Sequence, residues 1–127
     1  MSVKSNLFSS LTNAQHRGKP FVLVPASNWV GSFLSLLMAH GLILGFQTHP
    51  QPGRGPTYIV RLKSSRAWSK IKTLSSPGKR VYMSAKKLPR SKNGLGLYVV
   101  STKYGLLTDA QARTQRVGGE VVCEVCI

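Results

Sequence analysis

Apolar positions in the first part of the chain recur first with a helical period and then as a strand-like run. From Asn6 onward they lie three or four residues apart, the spacing that places side chains on one face of a helix. They are Leu7, Phe8, Leu11 and Ala14. Gly18 follows as a stop signal, so the pattern predicts a one-sided helix that ends near Arg17. The β-forming run over residues 21–24, followed by Pro25, predicts a strand.

The next segment has two interpretations, a membrane span or a core-facing helix. Residues 29–46 contain no Lys, Arg, Asp or Glu, as a membrane span requires. However, Gly41 divides the run, and its polar and apolar residues segregate to opposite helical stripes. One stripe holds small or polar residues, Asn28, Ser32, Ser35 and Ala39, and the opposite apolar stripe holds Val30, Phe33, Leu34 and Leu37. We therefore favour a core-facing helix from Asn28 to about His40, with Ser27 as its N-cap.

A hairpin and a subdomain boundary are predicted next. Residues 42–47 and 57–63 read as strands on either side of a loop rich in proline and glycine, which predicts a hairpin with a long basic tip. Trp68, Ile71 and Leu74 have the spacing of a short element that leads to the turn at Pro77-Gly78. The predicted fold class is α+β, with an N-terminal helix-strand-helix-hairpin subdomain over residues 1–75 and a C-terminal subdomain over residues 76–127.

The C-terminal subdomain is predicted to be mainly β with one short helix. An uncharged β-forming run over residues 95–100 predicts a strand. The following residues, Ser101 to Gly105, place two hydroxyls, a cation and an aromatic ring in one tight turn. Such groups are able to grip a nucleotide.

A capping box marks the start of the predicted helix. Thr108 and Gln111 have the spacing at which each side chain bonds the backbone of the other, so a helix is expected from Asp109 to about Arg116. Gly118-Gly119 is predicted to stop this helix. The alternation over residues 120–125 predicts the final strand.

The charge balance indicates a polyanionic partner. The chain has 18 Lys and Arg residues against three acids, Asp109, Glu120 and Glu124, so its net charge is +15. Nucleic acid is the first partner to consider and an anionic membrane is the second. The central cations favour phosphate contact over a merely solvated basic face, because no acids are interspersed. They are Arg61, Lys63, Arg66, Lys70, Lys72, Lys79, Arg80, Lys86, Lys87, Arg90 and Lys92.

Neither catalysis nor a cofactor is expected. Cys123 and Cys126 have C-x-x-C spacing, but residues three apart in a strand face opposite sides and no second ligand pair accompanies them. They are interpreted as ordinary thiols, with no metal site. Three acids do not assemble a nucleophile, a base and an orienting acid, so we expect no enzyme and no small-molecule substrate.

Several segments resemble the bacterial and organellar type of small-subunit ribosomal protein eight, an rRNA-binding family. Residues 96–113 are similar to the strand, Ser-Thr loop and Thr-Asp-x-x-Ala-Arg helix of that family, and residues 118–123 to its closing strand. Residues 76–82 resemble the start of its second half. Leu88-Pro89 and residues 93–96 add further matches, and all occur in the order of the family.

The resemblance implies a structural role in binding a stem in the central domain of small-subunit rRNA and in supporting platform assembly beside neighbouring ribosomal proteins. It implies base and sugar contacts by Ser101 and Thr102. Where many family members have another serine, this chain has Lys103 followed by Tyr104. Lys103 is expected to contact a phosphate, and Tyr104 is expected either to stack on a base or to pack under the loop. The remaining RNA-binding candidates are Lys79, Arg80, Tyr82 and Glu120 in the second half, and Arg17, Lys19, Arg61, Lys63 and Arg66 as looser, backbone-directed contacts.

Three alternatives accompany these expectations. Glu120 is interpreted as accepting from a base amino group or orienting the loop, and the alternative is a surface salt bridge with Arg113 or Arg116. A core position is the alternative for Tyr82. A basic membrane-surface or interaction protein is the alternative to the whole assignment.

The compartment is expected to be a mitochondrial ribosome, with a plastid or bacterial ribosome as the alternative. The acidic Asp-Pro entry common in bacterial members is missing, and acids are scarce throughout. Residues 1–5 lack the pattern of a transit peptide, so any targeting signal is expected to be uncleaved and internal.

Overall fold

The chain forms two compact units, Val3–Ser69 and Lys70–Ile127. A computed structural model describes residues 3–49, 52–53, 55–63, 68–90 and 96–127. The division lies before the predicted boundary at residue 75, because Lys70–Thr73 forms a strand that pairs with the C-terminal strand. The predicted α+β class with two small subdomains is confirmed.

The first unit has the predicted order of helix, strand, helix and hairpin. Its elements are α1 (Val3–His16), β1 (Phe21–Pro25), α2 (Asn28–Ala39), β2 (Gly45–Thr48) and β3 (Thr57–Arg61). The sheet is antiparallel with the order β1-β3-β2, so the β2–β3 hairpin adds its second strand beside β1.

Aromatic packing between α1 and α2 forms part of the core of the first unit. The Phe8 ring lies 5.1 Å from Phe33 and 6.2 Å from Trp29, and Trp29 stacks on Phe33 at 5.4 Å. The apolar face of α2 is buried as its pattern predicted, and the Ser27 hydroxyl accepts from the amide of Val30 at 3.2 Å. Within the described part of the chain, no helix is long and apolar enough to cross a membrane.

Trp68 belongs to this core rather than to the following strand. It is 2% exposed, and its indole nitrogen donates to the carbonyl of Leu42 at 3.2 Å. The predicted grouping of Trp68 with Ile71 and Leu74 is therefore wrong. Spacing alone does not reveal that Trp68 ends one unit whereas Ile71 lies in the first strand of the next.

The second unit is mainly β with one short helix, as predicted. It contains β4 (Lys70–Thr73), β5 (Tyr82–Met83), a 3-10 turn (Ala85–Lys87), β6 (Leu97–Thr102), β7 (Gly105–Thr108), α3 (Asp109–Gln115) and β8 (Gly119–Cys126). The antiparallel sheet has the order β4-β8-β6-β7, and β5 also pairs with β8. Strand β7 was not predicted, because Gly105 to Thr108 has no alternating pattern and acquires its strand geometry by pairing with β6.

Helix α3 packs on one face of this sheet. Ala112, Val100, Val121 and Leu88 form a buried cluster. The capping box is confirmed: the Thr108 hydroxyl accepts from the amide of Gln111 at 3.2 Å, and the Gln111 side chain accepts from the amide of Thr108 at 3.0 Å.

The predicted glycine stop of α3 is wrong. Arg116 takes the left-handed conformation, with φ 57°, and the amide of Val117 donates back to the carbonyl of Ala112 at 3.0 Å. The two glycines instead permit close backbone approach. A Cβ at Gly118 would lie 2.4 Å from the carbonyl oxygen of Met83, and one at Gly119 would lie 2.1 Å from that of Ser101.

Candidate nucleic-acid interface

Three candidate side chains form a row across the sheet of the second unit. Glu120 on β8 pairs directly with Tyr82 on β5 and with Ser101 on β6. Directly opposite residues project from the same face of an antiparallel sheet. This face is opposite to the one on which Val100 and Val121 pack against α3. An aromatic ring, a carboxylate and a hydroxyl are therefore presented side by side on a rigid support.

A basic turn is held beside this row by Ser75. The Ser75 hydroxyl donates to the carbonyl of Val121 at 2.8 Å and accepts from the amide of Val81 at 2.9 Å. The turn is closed by two backbone bonds between Ser76 and Lys79, of 2.9 and 3.1 Å. Lys79 consequently lies exposed on a fixed backbone rather than on a free loop.

Arg80 is the ionic partner of Glu120. Its guanidinium nitrogen lies 3.4 Å from both carboxylate oxygens, and the Glu120 side chain is 11% exposed whereas the Arg80 side chain is 51% exposed. The expected alternative partners, Arg113 and Arg116, are not used. Arg113 pairs with Asp109 at 2.7 Å in the same helix. Arg80 offsets the negative charge of the Glu120 carboxylate. Because 3.4 Å is long for a charge-assisted hydrogen bond and half of the Arg80 side chain is exposed, the guanidinium also remains accessible to solvent.

The two hydroxyls of the predicted turn differ in their bonding. Thr102 donates to the carbonyl of Gly105 at 2.9 Å and accepts from the amide of Tyr104 at 3.1 Å. Its hydroxyl proton is therefore committed to the turn, which also uses the positive φ of Gly105, 103°. The Ser101 hydroxyl has no hydrogen-bond partner in the part of the chain that the structure describes. Of the two, Ser101 is the one whose donor is available to a ligand.

Two tyrosine rings are exposed near these groups. Tyr82 is 67% exposed and Tyr104 is 62% exposed, so neither fills the core. Tyr104 lies at the tip of the β6–β7 turn, where the ammonium of Lys103 sits 5.1 Å from the centre of its ring. Exposed rings beside cations are suited to stacking on unpaired bases.

Buried contacts fix α3 relative to the strand that carries Ser101. The Asp109 carboxylate accepts from the amide of Tyr98 at 3.1 Å and from Arg113 at 2.7 Å. Arg113 also donates to the carbonyl of Pro89 at 3.2 Å. Asp109 thus has a structural role, which joins the helix N-terminus to β6.

The other end of the β6–β8 pair contains two titratable groups, Tyr98 on β6 and Cys126 on β8, whose pKa values are raised. Burial raises the pKa of the Tyr98 hydroxyl, and the Glu124 carboxylate adds to this shift. Burial and Glu124 also raise the pKa of the Cys126 thiol, although Lys70 and Lys72 oppose the shift. Cys126 is consequently a protonated thiol near neutral pH, which disfavours nucleophilic chemistry there.

The first unit carries the remaining candidates. Arg17, Lys19 and Arg61 are exposed, and the last two line one cavity. Lys63 is half-buried, with its ammonium within 3.6 Å of the position that a Cβ on Gly41 would occupy, so it lies at the C-terminal end of α2 where a cation is favourable. Arg66 lies outside the described residues.

Sequence reasoning missed the pairing of Arg80 with Glu120 and the cavity beside Lys19. The signal for the pair was Glu120 itself, one of three acids in a strongly basic chain, but its partner lies 40 positions away and is revealed only by β5–β8 pairing. The signal for the cavity was weaker, because Phe21 reads as an ordinary strand residue.

Comparison with known proteins gives a consistent result. The family model for ribosomal protein S8 matches residues 3–126. Small ribosomal subunit protein uS8 of Cereibacter sphaeroides is 40% identical over 131 aligned positions, which cover 98% of this chain and 99% of the relative. The proteins of the same name from Parvibaculum lavamentivorans and Bradyrhizobium sp. are 39% and 40% identical, covering 94% and 95% of this chain and 93% and 94% of the relatives.

Proposed function

Because the chain belongs to the ribosomal protein S8 family and is a structural, rRNA-binding constituent of the small ribosomal subunit, we propose that its second unit recognises a stem in the central domain of small-subunit rRNA. The row of Tyr82, Glu120 and Ser101 is the observation that carries this proposal. An irregular stem exposes the edges of its bases, whereas the deep groove of regular A-form RNA is closed to side chains.

Each member of the row has a distinct role in this proposal. Glu120 accepts from a base amino group, and Arg80 offsets its charge so that a carboxylate is tolerated beside a polyanion. Ser101 donates to a base or a ribose oxygen. Tyr82 stacks on an unpaired base, while Lys79 contacts the phosphates that flank it.

The β6–β7 turn extends the same site. Thr102 holds the turn and retains one lone pair with which to accept from the RNA. Tyr104 offers a second stacking surface and Lys103 a phosphate contact, in place of the third hydroxyl common in the family. The turn therefore substitutes stacking and charge for one hydrogen bond.

Ser101→Ala tests the base contact, with Thr114→Ala as the matched control. Thr114 is an exposed hydroxyl residue on α3, which packs on the opposite face of the sheet. Ser101→Ala is expected to weaken binding to a central-domain rRNA fragment by about 1 to 2 kcal/mol and to leave binding to a scrambled stem nearly unchanged. Equal losses from both variants, or equal losses on both RNAs, would refute the assignment.

We further propose that the protein serves a mitochondrial ribosome and contacts neighbouring small-subunit proteins there. The scarcity of acids and the missing Asp-Pro entry support this choice over a bacterial ribosome. Fractionation of source cells tests it: the protein is expected to sediment with the mitochondrial small subunit. Recovery with plastid ribosomes, or with the ribosomes of a source cell that has no mitochondria, would contradict this assignment.

A further inference from the structure

An open cavity of about 520 Å³ lies at one end of the sheet of the first unit. Phe21, Leu44 and Ile59 provide apolar walls, with Leu62, which is 3% exposed, also lining the cavity. This volume lies within the range of about 300 to 1,000 Å³ found for small-molecule sites. All lining residues belong to the one unit and are described by the structure.

Backbone hydrogen bonds fix these walls in place. Two residues after the end of α1, Gly18 takes a positive φ of 66°, and the amide of Lys19 donates back to the carbonyl of Ala14 at 3.0 Å. The amide of Leu62 donates to the carbonyl of Pro20 at 2.9 Å. The cavity is consequently a feature of the folded chain rather than a gap between loose loops.

Backbone hydrogen bonds also fix the wall that contains Phe21, Leu44 and Arg61. The amide of Leu44 donates to the carbonyl of Arg61 at 2.9 Å, and Phe21 pairs directly with Arg61 across β1 and β3. Phe21 and Arg61 therefore project from the same face of the sheet. An aromatic ring and a guanidinium group are thus neighbours at one wall.

The chemistry of the lining selects an anion with a flat apolar part. Phe21 is 51% exposed and Leu44 is 62% exposed, so a large apolar area faces solvent. The charged lining residues are Lys19 and Arg61, both cations. No acid precedes Asp109 in the sequence, so no acidic side chain of the first unit neutralises these cations.

We propose that this cavity binds one unstacked nucleotide of rRNA, with its base against Phe21, Leu44 and Ile59 and its phosphate between Lys19 and Arg61. The identity of the RNA rests on the proposed function, whereas the chemistry of the cavity stands on its own residues. The aromatic wall favours a base over an acidic protein segment, because every base has a π face that stacks on an aromatic ring. Lys19 and Arg61 are then part of a base-binding site rather than loose backbone contacts.

Nuclear magnetic resonance titration of the full chain with adenosine 5′-monophosphate tests the chemistry. The nucleotide is expected to shift the methyl signals of Leu44 and Ile59 and the ring signals of Phe21. Ribose 5-phosphate, which lacks the base, is expected to perturb only the signals of Lys19 and Arg61. Absence of nucleotide-induced shifts at the apolar walls would overturn the proposal.

Variants at exposed positions separate stacking from general loss of apolar surface. Phe21→Ala is expected to weaken nucleotide binding about tenfold, and Phe21→Leu, which keeps apolar bulk without a π face, to weaken it nearly as much. Leu23→Ala is the control, because Leu23 is 38% exposed on the same strand and outside the cavity lining. An equal effect from Leu23→Ala would overturn the assignment.

Cross-linking in assembled small subunits identifies the occupant. A photoreactive phenylalanine analogue at position 21 is expected to cross-link to rRNA, and a cross-link to a ribosomal protein, or none to RNA, would overturn the nucleotide assignment. Binding of Phe21→Ala to the central-domain stem is measured in parallel. Retained stem binding shows that the proposed function stands whatever occupies the cavity, and Ser101→Ala tests that function separately.

Discussion

At the scale of single residues, Ser101 and Thr102 look equivalent in the sequence but have different bonding in the fold. Thr102 uses its hydroxyl both as donor and as acceptor within the β6–β7 turn, whereas Ser101 makes no such bond among the described residues. Both were predicted as ligand contacts, since a sequence shows that hydroxyls are present but not where their protons are directed.

This difference predicts separate phenotypes for the two hydroxyls. Thr102→Val keeps the shape of the side chain but removes two hydrogen bonds, so it is expected to lower the free energy of unfolding by about 1 kcal/mol. Ser101→Ala is expected to leave that free energy nearly unchanged. Denaturant unfolding of both variants checks this, and a larger loss of stability in Ser101→Ala would contradict the hydrogen-bond assignment.

Two glutamines provide a second contrast at this scale. Gln15 is 3% exposed, and both polar atoms of its amide lack hydrogen-bond partners within the described chain. Gln111 is exposed and completes the capping box of α3. A buried unpaired amide is unfavourable, whereas a cap stabilises a helix.

Substitution of each glutamine with methionine, which is similar in shape, is expected to have opposite effects. Gln15→Met should raise the free energy of unfolding by about 1 kcal/mol, since it removes the unpaired amide. Gln111→Met should lower it by about 0.5 to 1 kcal/mol. Thermal unfolding measures both, and destabilisation by Gln15→Met would show that the amide has a partner.

At the scale of elements, the features that could be predicted are those encoded within a few residues. The Ser27 cap, the buried face of α2 and the Thr108–Gln111 capping box all depend on local spacing, and all are present. Strand β7 and the role of Gly118 and Gly119 depend on partner strands distant in sequence. For the same reason, local patterns did not predict the row of side chains around Glu120.

The β6–β8 contact provides a test of this distinction. Gly119→Ala would place a methyl group 2.1 Å from the carbonyl oxygen of Ser101, so the backbone must shift and the free energy of unfolding is expected to fall by about 2 to 3 kcal/mol. Gly78→Ala is the matched control, because nothing lies within 4 Å of its added Cβ. Similar stability of the two variants would contradict the close approach of β6 and β8.

At the scale of the whole molecule, composition predicted the class of partner more directly than it predicted the site. A net charge of +15 with three acids indicates binding to a polyanion whatever the fold. The fold adds that both units carry exposed cations, whereas the hydroxyl and carboxylate row lies on the second unit alone. Affinity is therefore expected to depend on cations of both units, and specificity on the row in the second unit.

Salt dependence separates the contribution of phosphate contacts to affinity from that of base contacts. If about 5 to 8 cations contact phosphates, the logarithm of affinity for the central-domain fragment should fall by about 4 to 7 for each tenfold rise in salt. Arg61→Gln removes one exposed cation and should reduce this slope by about 1 for cognate and scrambled RNA alike. Ser101→Ala should lower cognate affinity at every salt concentration without changing the slope, because a neutral hydrogen bond releases no counterion. A flat salt response, or a slope that changes with Ser101→Ala but not with Arg61→Gln, would contradict the division between phosphate and base contacts.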